Sequence, residues 1–333
     1  MSFKIGCNKF KIDIKSVLMY IIVNKLYQKE ILLDMSELYD IFKQNFPLCT
    51  RNSQTAKNIL NSSQNKIFEK RNNSGELIGV SVINKNNILM ICVNKQYRNQ
   101  GIGSNLLKMS EEYIIQQGYK DITIGVGDEY LMPGVPSKKQ IITEHMEQSN
   151  VYLNLEDYVD FFKKRGYIHK WDCNCFDMRM PLCEFCFNTI TIPTQIDGVE
   201  YEWAKYQDLD KINLCVADAH EPFLKYYQNS KLYHADNDQR VLVAKINKEI
   251  VGTIIISINT EETDLGSVGC TTVMHKHRGK HIGVNLTKVA TKHVKDCGLT
   301  NAFLGYTYSG MDRMYGYSGY KICTYYFMAT KQI

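Results

Sequence analysis

One segment of the chain occurs twice, and this repeat constrains the fold more than any other feature of the sequence. The first copy reads Val93-Asn-Lys-Gln-Tyr-Arg-Asn-Gln-Gly-Ile-Gly103, and the second reads Val273-Met-His-Lys-His-Arg-Gly-Lys-His-Ile-Gly283. The copies are 180 residues apart, and five identical pairs keep this offset without a gap: Arg98 and Arg278, Gly103 and Gly283, Lys108 and Lys288, Gly118 and Gly298, and Gly125 and Gly305. A constant offset over this length predicts two domains of one fold.

The size and composition of the chain agree with two globular domains. Its 333 residues are too many for one ordinary domain and about right for two. A hydrophobic fraction of 44% and a charged fraction of 23% exclude a largely disordered or fibrous protein. The net charge of +5 suits an anionic ligand but is far below that of a dedicated nucleic-acid binder.

We expect a cytoplasmic protein that has neither a membrane nor a nucleic acid as partner. The apolar run from Val17 to Val23 is much shorter than the roughly 20 residues of a membrane helix. No small-residue cleavage site follows this run before Asn24, so no signal peptide is expected. The eleven cysteines are odd in number and scattered along the chain, which indicates reduced thiols rather than a disulfide framework.

Each copy is predicted to form a strand, a glycine-bearing turn, a helix and a second strand. Residues 88–93 and 267–273, just before the turns, are short runs rich in β-formers. Helices are predicted from Ile102 to about Gln117 and from Ile282 to about Cys297, each followed by a glycine at the C-cap position. Further strands are predicted at residues 76–83, 121–125, 249–256 and 300–305.

The two copies close alike but differ in length. A helix running into Gly-Tyr closes each copy, at Gly166 in the first and at Gly319 in the second. From Gly125 to Gly166 is 41 residues, against 14 from Gly305 to Gly319, so the first copy carries an insertion of 27 residues. This insertion spans the turn at residues 132–136 and precedes the last helix of the first copy.

These boundaries predict an N-terminal domain at residues 1–185, a linker at residues 186–197 and a C-terminal domain at residues 198–333. The sequence of the linker region is also compatible with a strand that crosses from one domain to the other. The N-terminal stretch is ambiguous, because Phe10, Ile12 and Ile14 alternate like a strand whereas Ile14, Leu18 and Ile21 have helical spacing.

The repeated turn has the properties of an anion site. In the first copy it reads Arg-x-x-Gly-x-Gly between a strand and a helix. Glycines let the backbone approach a diphosphate closely, and the helix N-terminus presents N–H groups and a partial positive charge. The alternative is a glycine-bearing turn without a ligand, which two copies in the same context disfavour. A dinucleotide-binding Rossmann unit is a poor alternative, because the first glycine and the βαβ context are missing.

At these residues the chain resembles the GCN5-related N-acetyltransferase (GNAT) superfamily, whose pyrophosphate loop is Arg/Gln-x-x-Gly-x-Gly/Ala. The resemblance covers residues 30–182 and 198–330 as a tandem pair, and the second copy departs from the pattern at His281. It implies an α/β (mixed α+β) fold with two GNAT-like domains. Each domain would be a mixed, mostly antiparallel sheet with a splayed parallel strand pair, flanked by helices.

The resemblance further implies that each splayed strand pair binds acetyl-coenzyme A as co-substrate. The cofactor-binding residues would be Cys92, Val93, Arg98, Asn99, Gln100, Gly101, Ile102, Gly103 and Ser104 in the first copy, and Val273, Arg278, Gly279, Lys280, His281, Ile282 and Gly283 in the second. A backbone N–H near Val93 or Val273 would polarise the thioester carbonyl for direct attack by a neutral amine.

The family often places a tyrosine acid four residues before the closing Gly-Phe/Tyr. That position is Tyr315 in the second copy and Phe162 in the first, so the copy with the altered loop has the proton donor. We therefore expect the chemistry in the C-terminal copy. We expect the N-terminal copy to bind acetyl-coenzyme A at least as tightly as the C-terminal copy does. Tyr317 is a neighbour that could be mistaken for the acid.

The general base is not identified by the sequence. Asp218, His220, Glu221 and His275 all lie where a substrate pocket could form, and Cys270 could serve as a nucleophile or be one of many buried thiols. Cys173, Cys175, Cys183 and Cys186 could together hold zinc. The first two, however, have strand spacing in a segment where the family needs no metal, so no metal is expected.

The leading hypothesis is an acetyl-CoA-dependent N-acetyltransferase that acts on a small amine or a peptide amine, as a monomer or a homodimer. The rival hypothesis is a non-catalytic acyl-CoA-binding or scaffolding protein, since each copy departs once from the family pattern. An enzyme acting on an RNA-bound substrate is weaker still, because no stripe of Lys and Arg interleaved with aromatics is present.

Overall fold

The repeat folds as two mixed sheets, one for each half of the chain, in the computed structural model. The structure describes residues 37–47, 49, 53–125, 130–142, 157–187, 191–258 and 265–333. The ambiguous stretch at residues 10–22 and parts of the predicted insertion lie outside these ranges.

From residue 37 onward, the N-terminal half forms two helices, then short strands and a long helix. Its elements are α1 at residues 37–45, α2 (Ser53–Leu60), β1 (Lys66–Arg71), β2 (Leu77–Asn84), β3 (Asn87–Val93), α3 (Ile102–Gln116), β4 (Asp121–Ile124), β5 (Val135–Ser137), α4 (Val159–Lys163), β6 (Ile168–His169) and β7 (Cys175–Pro181). Helix α3 buries Leu106, Leu107, Ser110 and Ile114, which lie on one face at helical spacing.

The C-terminal half repeats this order. Its elements are β8 (Thr194–Ile196), β9 (Val199–Trp203), α5 (Leu209–His220), α6 (Leu224–Tyr227), β10 (Gln239–Ile246), β11 (Glu249–Ser257), β12 (Leu265–Val273), α7 (Ile282–Asp296), β13 (Asn301–Tyr308), α8 (Asp312–Gly316), β14 (Lys321–Phe327) and β15 (Ala329–Gln332). The strands and helices predicted for both copies are confirmed, with ends shifted by a few residues. Strand β8 occupies part of the predicted linker.

The two sheets exchange strands between the halves. One sheet has the order β1-β2-β3-β4-β15-β6, and the other has β5-β14-β7-β13-β12-β11-β10-β9-β8. Strand β7 of the N-terminal half lies between β13 and β14, antiparallel to both. Strand β15, at the C-terminus, lies between β4 and β6. The sheets therefore do not follow a division into residues 1–185 and 198–333, because β5 and β7 of the N-terminal half lie in the C-terminal sheet and β15 of the C-terminal half lies in the N-terminal sheet.

The exchanged strands are buried in their new surroundings. Phe176, Met178 and Met180 of β7 are at most 4% exposed and pack in the core of the C-terminal sheet. Burial of side chains of this size contributes about 1.5–3 kcal/mol each. Ala329 of β15 belongs to the core of the N-terminal sheet. Strand β5, within the insertion, also pairs with β14. The two halves are thus joined by shared cores as well as by the chain.

Each sheet opens between its two parallel strands. Strands β3 and β4 pair only at Asn87–Ile88 with Thr123–Ile124. Strands β12 and β13 pair only over Leu265–Ser267 with Asn301–Phe303, and both continue for several residues beyond. The expected splayed strand pairs are therefore present in both halves. None of the described helices combines the length and the apolar composition needed to cross a bilayer.

Candidate functional site

A large cleft lies at each splayed strand pair. The C-terminal cleft, of about 1090 Å³, is bounded by β12, the following turn, β13 and α8. The N-terminal cleft, of about 830 Å³, is bounded by β3, the following turn, the start of α3 and α4. Cys49, Met132 and Tyr326 contribute to the walls of both clefts, so the two sites adjoin at the interface between the halves.

The predicted cofactor residues lie at these clefts with three exceptions. The N-terminal cleft is lined by all nine of them except Gln100 and Ile102. The C-terminal cleft is lined by all seven except Lys280. Gln100 and Lys280 are exposed at matching positions of the two turns. The structure thus brings the predicted residues together, while their role in binding stays a prediction.

Both turns adopt the same backbone conformation although their sequences differ. Each has two residues in the left-handed region, Asn99 (φ 62°) and Gly101 (φ 79°) in the first and Gly279 (φ 77°) and His281 (φ 57°) in the second. Asn and His tolerate this region better than most side chains, so each turn needs only one glycine there. His281 therefore takes the place of Gly101 as the residue that begins the helix, and its side chain is exposed.

The second glycine of each turn packs against the splayed strands. A Cβ atom on Gly103 would lie 3.7 Å from Val93, an ordinary contact. A Cβ atom on Gly283 would lie 2.8 Å from the Met314 sulfur, so Met314 would have to move. The start of α7 is therefore more tightly covered than the start of α3.

The repeated arginines tie the turns to the ends of the preceding strands. The Arg98 Nε–H donates to the Val93 carbonyl at 2.7 Å, and the Arg278 Nε–H donates to the Val273 carbonyl at 3.3 Å. Arg278 also donates to the Ala219 carbonyl at 3.1 Å. The arginines therefore position the turn, in addition to placing a positive charge near the helix N-terminus.

The backbone N–H groups of Val93 and Val273 point toward the clefts. Asn94 N–H donates to the Ile78 carbonyl at 2.9 Å, and Met274 N–H donates to the Val251 carbonyl at 2.9 Å. Since neighbouring N–H groups of a strand point to opposite edges, the preceding valine N–H faces the splayed partner. In each half this group lies beyond the last paired residue of the parallel strands.

Tyr315 lies in the C-terminal cleft with its hydroxyl against β12. Its side chain is 4% exposed, and its hydroxyl donates to Thr271 Oγ1 at 3.2 Å. Burial raises the pKa of Tyr315 to about 12, so the hydroxyl keeps its proton at neutral pH. At the matching position of the N-terminal cleft, Phe162 packs edge-on against Tyr167. The neighbouring Tyr317 is 56% exposed.

Asp177, on the exchanged strand β7, also lines the C-terminal cleft. It is 4% exposed, and its carboxylate accepts hydrogen bonds from the Tyr326 hydroxyl at 2.6 Å and the Tyr306 N–H at 2.9 Å. Burial raises the pKa of this carboxyl to about 6. Asp177 is not among the site residues that the sequence predicts, because the repeat assigns its strand to the N-terminal domain. The signal that could have found it is a carboxylate in the apolar strand sequence Cys-Phe-Asp-Met.

Of the base and nucleophile candidates from the sequence, His220, Cys270 and His275 line the C-terminal cleft, whereas Asp218 and Glu221 do not. The Asp218 carboxylate accepts the His275 N–H at 2.7 Å, which lowers the pKa of Asp218, and both side chains are exposed. The His220 ring packs on Phe223, 4.4 Å between centroids. Burial raises the pKa of the Cys270 thiol to about 12, which disfavours a thiolate nucleophile.

The four cysteines considered for zinc are divided between the sheet and the surface. Cys175 is buried within β7, whereas Cys183 and Cys186 are exposed beyond its end. In the described part of the chain, no three His, Cys, Asp or Glu side chains are gathered in a way that could hold a metal ion.

Family models match both halves of the chain. A model described as acetyltransferase (GNAT) domain matches residues 33–129, and one described as acetyltransferase (GNAT) family matches residues 201–316. No match was found among curated proteins.

Solved structures share the fold over almost the whole chain. A GCN5-related N-acetyltransferase from Sphaerobacter thermophilus has a TM-score of 0.61 at 14% identity and covers 90% of this chain and 93% of its own. A tandem GNAT protein from the clavulanic acid biosynthesis pathway has a TM-score of 0.61 at 12% identity, with 90% and 94% covered. A GCN5-related glucosamine N-acetyltransferase region of a fungal multi-domain GH3 β-N-acetylglucosaminidase has a TM-score of 0.63 at 16% identity over 89% of this chain, which spans only 37% of that protein. At these identities the likeness establishes the fold alone.

Proposed function

Since the chain belongs to the GCN5-related N-acetyltransferase (GNAT) superfamily as a tandem of two such domains, we propose that it transfers an acetyl group from acetyl-coenzyme A to a primary amine, with the chemistry in the C-terminal cleft. The observation that carries this choice is Tyr315, which points a protonated hydroxyl at the splayed strand β12. The N-terminal cleft has Phe162 at the matching position and offers no proton there.

The residues of the C-terminal cleft suit acetyl-coenzyme A. The turn at residues 278–283 presents the N-terminus of the 15-residue helix α7, with N–H groups and a partial positive charge for a diphosphate. Arg278 and Lys280 add full positive charges at the same place. The gap between β12 and β13 suits a pantetheine arm, because residues 268–273 of β12 continue beyond its pairing with β13, about 20 Å of extended strand.

Two groups of the chain act on the thioester. The Val273 N–H faces the gap and is placed to donate to the thioester carbonyl, where negative charge develops during attack by the amine. The Tyr315 hydroxyl is placed to give its proton to the departing sulfur. Loss of one proton donor of this kind lowers turnover by about 10²- to 10⁴-fold. Acceptors to be compared are small amines, with glucosamine among them because a structural neighbour is named for it, and peptides with a free amine.

The N-terminal cleft is proposed to bind acyl-coenzyme A without transferring the acyl group. Its turn has the same left-handed backbone at Asn99 and Gly101 as the C-terminal turn has at Gly279 and His281. Its lack of a donor at Phe162 also gives the second candidate function some support, a protein that binds acyl-coenzyme A and does no chemistry.

Calorimetry and turnover separate these functions. We expect two equivalents of acetyl-coenzyme A to bind, and coenzyme A to be released only when an amine is present. Tyr315→Phe should keep both binding events and lose turnover. Binding of acetyl-coenzyme A without release of coenzyme A across the whole amine panel would favour the non-catalytic protein. If millimolar acetyl-coenzyme A neither binds nor stabilises the native protein, both functions are refuted, because each requires the protein to bind it.

A further inference from the structure

We propose that Asp177 receives the ammonium group of the acceptor in the C-terminal cleft and takes its proton, and that this acceptor has an aromatic or apolar body. The inference rests on the proposed acetyltransfer and names the group that prepares the amine. It also gives the strand exchange a function, because the N-terminal half supplies this residue to the site of the C-terminal half.

The charges that line the cleft are separated. Among the described lining residues, Asp177 is the only acid, and it lies beside Gly305 of β13, whose added Cβ would be 3.8 Å from the carboxylate. Four of the six basic lining residues lie in the turn that follows β12, namely His275, His277, Arg278 and His281, and the other two are His220 at the end of α5 and Arg313 on α8. An acyl donor carrying phosphates is therefore drawn to the turn, and a cationic acceptor is drawn to Asp177.

The carboxylate has room for one more donor. It accepts one hydrogen bond on each oxygen, from Tyr306 and Tyr326, and a carboxylate can accept about four. Within the described part of the chain, no Lys, Arg or His contributes to the pKa of Asp177. A buried carboxylate without a cation is costly, and an ammonium group would supply the missing charge.

Aromatic rings surround this end of the cleft. Tyr130 of the insertion meets Tyr306 edge-on at 5.4 Å between centroids, and Trp171 stacks on the same ring at 5.7 Å. Tyr226 of α6 lines the cleft from the other side, with Phe223 against it at 6.1 Å. The faces of such rings attract a cation, and their apolar surface packs against an apolar or aromatic ligand. This end of the cleft therefore favours an aromatic amine over a polyhydroxylated one.

The N-terminal cleft provides a natural comparison. Met178 of β7 pairs with Leu304, and Ala329 of β15 pairs with Ile124, the residue that matches Leu304 in the repeat. Asp177 precedes Met178 on β7, and Met328 precedes Ala329 on β15. Met328 therefore holds in the N-terminal sheet the position that Asp177 holds in the C-terminal sheet. Phe162 and Met328 thus replace the acid and the carboxylate together, as expected if the two groups serve one reaction.

The proton transfers balance as follows. Asp177 takes one proton from the ammonium group, and the freed electron pair of nitrogen forms the carbon–nitrogen bond at the thioester carbonyl. The carbon–sulfur bond breaks, and its electron pair takes the proton of Tyr315. The second nitrogen proton returns to the Tyr315 oxygen, and the proton on Asp177 passes to solvent. One ammonium and one thioester give one amide, one thiol and one proton.

The neighbours of Asp177 do not titrate near neutral pH. Burial raises the pKa values of Tyr326 and Cys323 on β14, of Cys175 on β7 and of Tyr306 on β13, so all four groups stay neutral. His220, His275, His277 and His281 also line the cleft, so a pH dependence near pH 6 belongs to Asp177, whose carboxyl has a pKa of about 6, where Asp177→Asn abolishes it.

The test is the pH profile of kcat/KM for 2-phenylethylamine and glucosamine with wild type, Asp177→Asn and the exposed control Asp172→Asn. We expect wild type and Asp172→Asn to prefer 2-phenylethylamine and to lose activity below about pH 6. Asp177→Asn should lose about 10²- to 10⁴-fold at neutral pH. It should recover above the pKa of the amine, where no base is needed, and bind acetyl-coenzyme A normally.

The outcomes separate this inference from the proposed function. If wild type is active and Asp177→Asn has the same pH profile, Asp177 does not take the proton. The same conclusion follows if Asp177→Asn loses activity equally at every pH. Both results leave acetyltransfer itself supported. Preference for glucosamine would overturn the acceptor class. If wild type releases no coenzyme A with any amine, acetyltransfer fails. Binding of 2-phenylethylamine, measured by calorimetry, then decides whether Asp177 still recognises an ammonium group.

Discussion

Replacing Asp177 with Asn should stabilise the protein at neutral pH, because the native carboxylate is buried without a cation. The carboxyl pKa rises from an ordinary 3.8 to about 6 on folding, mainly through burial. The native state therefore binds this proton more tightly than the unfolded chain does. Stability from this group is complete below about pH 4 and is lost as the pH rises through about 6.

The size of the effect follows from the shift in pKa. Each pKa unit is worth about 1.4 kcal/mol, so the ionised Asp177 costs about 3 kcal/mol of folding free energy at pH 7.5. Asparagine does not titrate, and its amide oxygen can still accept the Tyr306 N–H. The difference in unfolding free energy between Asp177→Asn and wild type should therefore grow by about 2 kcal/mol in favour of the variant between pH 4 and pH 7.5, since part of the effect is already present at pH 4.

Urea unfolding at a series of pH values measures this difference. Trp171, one of two tryptophans in the chain, stacks on Tyr306 next to the carboxylate and reports on this region by fluorescence. Asp172→Asn, an exposed change nearby, serves as the control and should give a difference that is constant with pH. An Asp177→Asn difference that stays constant between pH 4 and pH 7.5 would refute the reasoning, because the carboxylate would then be adequately solvated or paired.

Four further changes test the clefts and the exchange. Tyr315→Phe should lower kcat about 10²- to 10⁴-fold while the dissociation constant for acetyl-coenzyme A stays the same, and a matching loss of affinity in calorimetry would contradict a role in proton transfer. Gly101→Val should abolish one of the two equivalents of acetyl-coenzyme A bound, because φ is 79° at this position. Gly103→Ala, whose Cβ would have its nearest contact at 3.7 Å, should retain both equivalents. Equal stoichiometry in the two variants argues against a site in the N-terminal cleft. His281→Val should weaken binding in the C-terminal cleft through backbone strain at φ 57° and His281→Gly should not, a contrast that calorimetry detects and that equal affinities would disprove. Deleting residues 329–333 removes β15 from its place between β4 and β6, so amide hydrogen exchange should accelerate in those two strands, and unchanged protection there would show that the exchanged strand is dispensable.

Most of the local structure of the two copies could be predicted from the sequence. The strand, turn and helix around Gly101 and His281 follow from residue types that act within a few positions of one another, such as glycine caps and helical spacing of apolar residues. The same local signals place Tyr315 and Phe162 at matching positions. The cofactor residues follow from the resemblance to the GNAT superfamily, and all of them but Gln100, Ile102 and Lys280 lie on the cleft walls.

The conformation of His281 was harder to anticipate, because it depends on the whole turn. The sequence shows that His281 replaces the first glycine of the pattern, which by itself leaves the backbone of the turn open. In the structure Gly279 and His281 take the left-handed conformations that Asn99 and Gly101 take in the other copy. The backbone is the same because Asn and His both tolerate that region, so the glycine can move by two residues without changing the turn.

The sequence by itself determined that the chain has two copies of one fold, where the turns lie and which copy has a tyrosine at the acid position. Only the tertiary structure decided that β7 and β15 change places and that Asp177 faces the C-terminal cleft. Strand pairing uses backbone hydrogen bonds that are the same for any partner, so a strand sequence does not specify which sheet it joins. That choice depends on packing between residues distant in the chain, and here it places an acid from one half beside the cleft of the other.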